Sequence, residues 1–439
     1  MEQKIKNIVF KIFAFLAKLT VKKYKPFVIG VTGVVGKTST KLAIYQVLSA
    51  KYNVRASPKS FNNEIGISLA ILSKYDESNG LFFWLKLFGK SIVQLLIKFK
   101  SFPKFLVLEY GVDRPKDMDK LLPIVKPNIS VFTALSDIPS HIEFFPTVES
   151  LAREKFKLLN TLSPTQFAII NGDDHLILNF KNQIRANVLT YGFHKNNNIQ
   201  IINFENFINL NKKEYYSTFK LKYKNYLVPF KTKALGKSQA YNVAAAAAVG
   251  VIMGLNLVDI SETMNNYETF SGRFKILEGI NDSILIDDTY NSSPLSLEES
   301  LNIFNDIQAK RKIVVLGDML ELGQYTFKAH QKIAKKIVSD NQVTMLITVG
   351  LRAQIITSQA TKYGFNPKHN FHFTTLEEVI EFLKDNIQKG DVILFKASQG
   401  VRLEKVLKIF LKNKEDYILL PRQNKKWLST TGLYDNIKL

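Results

Sequence analysis

Short runs of β-branched and apolar residues alternate with stretches of helical period along most of the chain. Four early runs, 27–31, 105–109, 129–133 and 167–171, are apolar almost without interruption, which predicts strands buried on both faces of a sheet. The intervals between them leave room for helices, so the alternation predicts a mostly parallel sheet with helices on both sides. From 215 to 233 polar and apolar residues alternate, and antiparallel strands appended to that sheet are expected. An alanine-rich run, 242–253, reads as a helix. A second series starts near Gly272, with strand runs at 283–287, 312–316, 344–349 and 391–395, and predicts a second, doubly wound domain. The stretch from about Asn413 is polar without a clear period and reads as a tail or a docking extension.

Two segments stand apart from this scheme. Over residues 1–25, Lys4, Lys11, Lys18 and Lys25 recur every seven positions, while Ile5, Ile8, Ile12, Phe15, Leu16 and Leu19 form an apolar stripe. This is the pattern of a basic amphipathic helix. A signal peptide needs an unbroken apolar core of about 7 to 15 residues; here Lys11 and Lys18 leave only 12–17 between them, so secretion is not expected. Residues 81–104 contain five Lys and no acid, and Lys86, Lys90 and Lys98 interrupt the apolar run. A spanning helix needs roughly 20 predominantly apolar residues, so this segment suits lying on a membrane rather than crossing it. The alternative is that both segments pack on the protein itself, one as a helix covering the sheet and the other as a hairpin or dimer contact.

Composition bounds the chemistry. The 439 residues imply two or three domains, each able to bury its own core. With 60 Lys+Arg against 38 Asp+Glu the formal net charge is +22, which fits nucleic acid, an anionic membrane or phosphorylated substrates. The lysines accompany no recognisable nucleic-acid module, which leaves that option weak. There is no cysteine, so disulfides, thiolate metal sites and a cysteine nucleophile are excluded.

The strongest local signal is VIGVTGVVGKTST, residues 28–40, which sets Gly30, Gly33 and Gly36 between an apolar strand and a helix starting near Lys37. Glycines let the backbone wrap a phosphate, the helix N-terminus aims N–H groups at it, Lys37 meets the terminal phosphates and Thr38 can hold Mg²⁺. The segment departs from the strict P-loop form, because Val31 occupies the first glycine position. Glu109 ends a strand run, at the edge where open α/β sheets bind ligands, and is a candidate Mg²⁺ or water ligand or a solvated turn residue. His141, one of six histidines, falls in a loop and could be a metal ligand or merely exposed. Lys155 alone reads as a surface lysine of a helix. Asp287 and Asp288 end the first strand of the second domain and could bind a ribose or a metal, or cap a turn.

Together the stretches TGVVGKTST, FNNEIGISLAIL, LVLEYGVD, HIEFFPTVESLAREK, AIINGDD, GKSQAYNVAAAAA, SGRFKILEG, ILIDDTYNSSP and VVLGDMLELGQYTFKAH resemble, in the same order, those of the Mur ligases. The last two point to the branch that adds D-alanyl-D-alanine to a muramoyl tripeptide. The resemblance implies a P-loop central domain with a mostly parallel sheet over 26–270, a Rossmann-like C-terminal domain over 271–412, and a tail over 413–439. It implies an ADP-forming reaction in which ATP phosphorylates a carboxylate and an amine attacks the acyl phosphate, with ATP and two Mg²⁺ as cofactors. Position by position, Gly33, Gly36, Lys37, Thr38 and Ser39 fall in the phosphate-binding loop, and Glu109 and His141 match further Mg²⁺ ligands. Lys155 matches the lysine that the family carbamylates. Asn242 resembles the adenine-contacting Asn, Arg273 the arginine that reaches the ATP phosphates, and Asp288 the ribose contact, with Asn291 in the nucleotide-side loop.

Departures shape what is expected of the substrate. Gly236, Lys237, Ser238 and Gln239 stand where relatives read G-x-H-N, and the 81–104 segment is an insertion. Only about 25 residues precede the P-loop strand, whereas bacterial members carry an N-terminal domain for the nucleotide-sugar. The expectation is a cytoplasmic ligase of peptidoglycan precursor synthesis, peripheral on the inner face of the membrane through 1–25 and 81–104. Its acceptor would be lipid-linked or presented by a partner protein in place of that domain. Competing readings are a folylpolyglutamate-type or other carboxylate–amine ligase, and a non-catalytic ATP-binding scaffold.

Overall fold

A computed structural model describes residues 2–57, 59–73 and 80–435. The first sheet comprises β1 (Phe27–Thr32), β2 (Val54–Ala56), β3 (Phe105–Glu109), β4 (Ile129–Phe132), β5 (Phe167–Asn171), β6 (Asn187–Gly192), β7 (Ile199–Asn209), β8 (Glu214–Tyr223) and β9 (Tyr226–Thr232). Their spatial order is β2-β3-β1-β4-β5-β6-β7-β8-β9, parallel as far as β7 and antiparallel beyond it. The four apolar runs are β1, β3, β4 and β5, and the alternating run is the β8–β9 hairpin. Sequence periodicity missed β2, β6 and β7. β2 has three residues, and β7 carries Asn and Glu on a face that stays partly exposed, which masks its 11-residue extent.

The second sheet comprises β10 (Lys275–Glu278), β11 (Ile284–Asp287), β12 (Lys312–Gly317), β13 (Met345–Val349), β14 (Asn370–Phe373) and β15 (Val392–Lys396), ordered β10-β11-β15-β12-β13-β14. Only β10 is antiparallel. β12, β13 and β15 are buried along their whole length, as uninterrupted apolar runs require, whereas the unpredicted edge strands β10 and β14 are half-buried.

Helices flank both sheets. On one face of the first lie α1 (Glu2–Tyr24), α3 (Glu64–Leu72), α4 (Gly80–Leu96), the short α5 (Asp117–Leu121) and α6 (Val148–Asn160); on the other lie α2 (Lys37–Ser49) and the alanine-rich helix Lys237–Ile252. Ala244 to Ala248 are all fully buried, and their small side chains let that helix sit close against α2. α6 starts where Thr147 accepts from the Ser150 N–H and Ser150 answers at the Thr147 N–H, a reciprocal cap.

The helix expected over 1–25 is present as Glu2–Tyr24, and Met1 lies outside the described residues. Residues 81–104 are not a hairpin: they form α4 and a short loop, because the inward positions Trp84, Leu87, Ser91 and Leu95 recur at helical spacing with no turn signal between them. No helix among the described residues is long and apolar enough to cross a membrane. The polar stretch after Asn413 is docked, not loose. Arg422 and Arg402 clamp the Glu404 carboxylate, with Arg422 Nη2 at 2.7 Å and Arg402 Nε at 2.6 Å, all three side chains buried.

The domains join at Thr269–Phe274, where Gly272 at φ +74° passes within 2.8 Å of the Tyr290 nitrogen, measured from where a Cβ would stand. Ile138 and Leu235 of the first domain are buried with Phe274, Leu301 and Met319 of the second, so the seam is packed and apolar.

Candidate active site

The P-loop follows β1 directly. Gly33 has φ +144°, and a Cβ there would stand 2.1 Å from Thr133 Oγ1; Gly36 has φ +85° and opens α2. Both conformations suit glycine. The Val34 N–H donates to the Ala134 carbonyl at 2.7 Å, which ties the loop to the end of β4. Lys37 is half-buried and its Nζ donates to the Val34 carbonyl at 3.0 Å. Burial lowers its pKa, and Glu109 and Asp113 oppose that shift.

Parallel register puts Glu109, at the end of β3, beside Val31 of β1. Its buried carboxylate accepts from Thr38 Oγ1 at 2.9 Å on one oxygen and from Ser60 Oγ at 2.8 Å on the other. Lys41, one turn after Lys37 and fully buried, has its Nζ 3.7 Å from Glu109 Oε2 and donates to Ser57 Oγ and the Lys59 carbonyl. Desolvation lowers the Lys41 pKa, and Glu109 counters it. Lys155, far from being a surface lysine, is buried in α6 and donates to the Val112 carbonyl at 3.1 Å. Burial first, then repulsion from Lys37, holds its pKa well below the ordinary lysine value. An amine biased toward the neutral form is a nucleophile toward CO₂.

His141 stands at the seam with φ +67°. Its Nε2 is 3.4 Å from Asp113 Oδ1, and its Nδ1 is 2.7 Å from Glu321 Oε2 of the other domain. Contact with His141 holds the Glu321 carboxyl below its usual value. Glu321 also has a left-handed backbone, φ +63°, so two residues other than glycine in that region face one another across the domains.

Between the domains lies a cavity of about 490 Å³. Gly36, Ser39 and Asn242 line it from the first domain, and Arg273, Asp288 and Lys396 from the second. Arg273 stacks over the Tyr290 ring, 4.6 Å from guanidinium carbon to centroid, and its buried Nε has no partner among the described residues. Asp288 is paired with Lys396 Nζ at 2.6 Å, both buried, and also accepts from Ser300. Burial depresses the Lys396 pKa, and Asp288 resists that. Asn242 has both ends of its amide engaged within the protein: Oδ1 accepts from Thr40 Oγ1 at 2.8 Å, and Nδ2 donates to Gln239 Oε1 at 2.9 Å. It therefore braces α2 against the alanine-rich helix. The Asn291 side chain turns back to accept from the Ser292 N–H, and its carbonyl receives Lys396, so it supports the cavity wall from behind.

Thus Gly36, Ser39, Asn242, Arg273 and Asp288 meet at the cavity, while Lys37, Thr38, Glu109 and Lys155 gather beside it, with His141 at the seam. Sequence reasoning missed Lys41, Asp113, Glu321 and Lys396. Asp113 and Glu321 lay inside motifs already noticed, and Lys396 ends a buried strand as Glu109 does, which was the available signal.

For Mg²⁺, the donor set is Thr38 and Glu109 oxygens, and no group of three or more His, Asp or Glu among the described residues is arranged to hold a metal ion. That sparse oxygen set fits Mg²⁺, which is commonly held by one or two carboxylates together with substrate phosphates.

Comparison with known proteins finds two family matches along the chain. Residues 91–250 match the family described as Mur ligase middle domain, and residues 272–399 the Mur ligase, glutamate ligase domain. The chain is 27% identical over 394 residues to the UDP-N-acetylmuramoyl-tripeptide--D-alanyl-D-alanine ligase of Bacillus subtilis, covering 90% of this chain and 78% of that protein. The ligase of the same name from Rickettsia prowazekii is 25% identical over 387 residues, covering 86% and 77%. Among solved structures, MurF from Acinetobacter baumannii superposes with a TM-score of 0.75 at 18% identity, over 92% of this chain and 80% of that one. MurF ligase from Thermotoga maritima in complex with ADP gives 0.73 at 24% identity, over 93% and 84%. With a P-loop domain and a second α/β domain closing on one cavity, and with both matched in order to the family's own domains, this chain belongs to the Mur ligases.

Proposed function

We propose that the protein is an ATP-dependent, ADP-forming ligase that joins D-alanyl-D-alanine, or a similar amino acid or dipeptide, to the peptide of a cell-wall precursor. The observation that carries this reading is the pairing across one cleft of a phosphate loop with its lysine and carboxylate and a second-domain wall of Arg273, Asp288 and Lys396. Region 26–270 serves as the ATP-binding domain and 271–412 as the closing domain. Lys37 and the loop N–H groups hold the terminal phosphates, and Arg273, anchored on Tyr290, reaches them from the other side. The substrate carboxylate attacks the terminal phosphorus, ADP leaves, and an acyl phosphate forms. The amine then attacks the carbonyl carbon, loses a proton, and expels phosphate as the amide forms. Asp288 takes the ribose side, and the packed seam excludes water from the acyl phosphate.

Mg²⁺, held by Thr38 and Glu109, with His141 and a carbamylated Lys155 serving a second ion, would neutralise charge on the transferring phosphoryl group. In this reading the enzyme is cytoplasmic and peripheral on the inner membrane face, and its acceptor is UDP-linked or lipid-linked, with a partner protein able to present it.

The test is product analysis. UDP-linked and lipid-linked muramyl tripeptides are each offered with ATP, Mg²⁺ and D-alanyl-D-alanine, and phosphate release is followed with mass spectrometry of the product. Amide formation with either acceptor supports the reading. Phosphate release stimulated by glutamate and not by D-alanyl-D-alanine would move the enzyme to the folylpolyglutamate-type reaction, and ATP binding without turnover on any pair would make it a scaffold.

A further inference from the structure

The helices α1 and α4 lie side by side and run the same way. Phe13 packs on Trp84 with ring centroids 5.0 Å apart at one level, and a few turns on Lys23 donates to the Leu95 carbonyl and Tyr24 to those of Gln94 and Ile97. Their inner faces are spent on the core, through Phe13, Leu16 and Ala17 of α1 and Leu87 of α4. The outer faces are also apolar. Ile8, Ile12 and Phe15 form an exposed stripe on α1, with Phe15 at 59% exposure, and Phe82, Leu85 and Leu96 one on α4, with Phe82 at 79% and Leu96 at 77%. Exposed apolar residues scattered singly need no explanation, but stripes at helical spacing on two neighbouring helices do.

Every charged residue in 8–25 and 81–104 is a lysine. Lys11, Lys18, Lys22, Lys86 and Lys98 are exposed around the stripes, α1 has Glu2 as its sole acid, and residues 81–104 have none. A second copy of the chain would bring lysines against lysines, and a nucleic acid would leave Phe82 and Leu96 without a purpose. Large apolar groups flanked by cations match the interfacial zone of a bilayer that carries anionic headgroups, where rings and aliphatic chains enter the acyl boundary and ammonium groups stay among phosphates.

We propose that the paired outer faces of α1 and α4 dock on an anionic phospholipid bilayer and hold the domain cleft at the membrane surface. Two residues separate α1 from β1, so α1 runs back along the strand, and its N-terminal end lies toward the P-loop end of the sheet. From Tyr24 back to Ile8 the helix spans ~24 Å and the six-residue strand ~20 Å, so the turns of α1 from Ile8 toward its N-terminus reach past the end of β1 on the cleft side. The surface names the partner of the proposed ligase site and rests on that reading only for what is ligated there.

Flotation of the full chain tests it, with phosphatidylcholine vesicles and with vesicles containing phosphatidylglycerol, and with Trp84 fluorescence quenching by brominated lipid as a second signal. Flotation with the anionic vesicles, falling as salt is raised, is expected, and little with phosphatidylcholine alone. Phe82→Ser combined with Leu96→Ser, and separately Lys86→Gln combined with Lys98→Gln, should each lower apparent vesicle affinity about tenfold while the thermal melt and ATP binding stay as in the parent protein. Absence of flotation overturns the proposal, as do variants that float like the parent, a concentration-dependent dimer that hides the patch, or an RNA oligonucleotide that binds the face in preference to vesicles. Flotation requires no turnover. A chain that floats but forms no amide keeps this inference and loses the ligase reading, and one that forms amide without floating does the reverse.

Discussion

Replacing Glu404 by Gln isolates what the docked C-terminal stretch does for the nucleotide side of the cleft. The Glu404 carboxylate is buried, and it accepts from Arg422 Nε at 2.9 Å, Arg422 Nη2 at 2.7 Å and Arg402 Nε at 2.6 Å. Arg422 also donates to the Thr289 and Tyr290 carbonyls, so the same guanidinium fastens residues 413–435 to the loop that follows Asp288. Arg402 in turn holds the Trp427 and Thr430 carbonyls. Glu404→Gln keeps the shape, removes the charge, and leaves two buried guanidinium groups unneutralised, a loss of about 3–5 kcal/mol for a broken buried pair. At roughly 2–4 °C per kcal/mol for a domain of this size, the C-terminal domain should melt about 6–20 °C lower. The KM for ATP should rise severalfold, with kcat less affected, because the loop beside Asp288 loses an anchor. The pH dependence supplies an independent sign. Burial alone would raise the Glu404 pKa, but Arg422 and Arg402 overcome it and the net shift is downward. A carboxylate depressed in the fold contributes stability that is complete above its unfolded value, near 4.3, and is lost as pH falls through the lower folded value. The difference in Tm between parent and variant should therefore narrow as pH is taken below about 4. Scanning calorimetry at several pH values, with ATP titrations, decides the matter. A melt within about 2 °C of the parent at pH 7, together with an unchanged KM, would refute the clamp.

Other changes test the site itself. Lys37→Ala should cut ATP turnover by about a thousandfold or more, read as ADP release, while the fold melts normally. Lys155→Ala should lose activity that small added carboxylates partly restore; full activity without additives removes the carbamate assignment. Glu321→Gln should raise the Mg²⁺ concentration for half-maximal activity about tenfold with the Tm nearly unchanged, because the change lies beside His141 and outside the core. Asp287, buried with one carboxylate oxygen unpartnered, has its pKa pushed up to about 6 by burial. A carboxyl raised in the fold is favourable only while protonated, so stability falls as pH climbs from about 4 to 6; Asp287→Asn should stabilise by about 1–3 kcal/mol at pH 7.5 and have little effect at pH 4, as denaturant midpoints will show.

How far the sequence carried depended on how local each feature is. The phosphate loop was legible because its strand, glycines, lysine and helix start are contiguous, and Glu109 because a carboxylate ending a buried strand has few places to go. Lys155 and His141 had no local signal: the burial of one depends on packing around Val112, and the partners of the other, Asp113 and Glu321, come from two domains. Lys155 entered only through family resemblance, and His141 stayed open between metal ligand and exposed loop residue until that resemblance was added. The 413–435 stretch looked like a tail for the same reason. Its composition is that of a solvated segment, and what buries it is a set of ion pairs to Arg402 and Glu404 that no periodicity records.

Several strained or unsatisfied groups share a position, and the position explains them. His141 and Glu321, both with left-handed backbones, Gly36 and Gly272 at positive φ, the unpartnered Nε of Arg273 and the unpartnered oxygen of Asp287 all lie along or beside the line where the two domains meet. Strained and unsatisfied groups survive selection for stability only where something else depends on them. Along this seam the dependent function is the assembly of a site from two halves, each folded around its own core and each incomplete by itself. Glycine at Gly36 and Gly272 permits the close approaches that a Cβ would block. The charges on the two walls, Lys37 and Glu109 against Arg273, Asp288 and Lys396, are held by buried partners within their own domain, so that closing the cleft requires little rearrangement of either wall. His141 to Glu321 is a direct charged contact reaching across beside the cleft, as the exposed pair Lys213 to Glu278 is elsewhere along the seam, and its removal should loosen closure while leaving both cores intact.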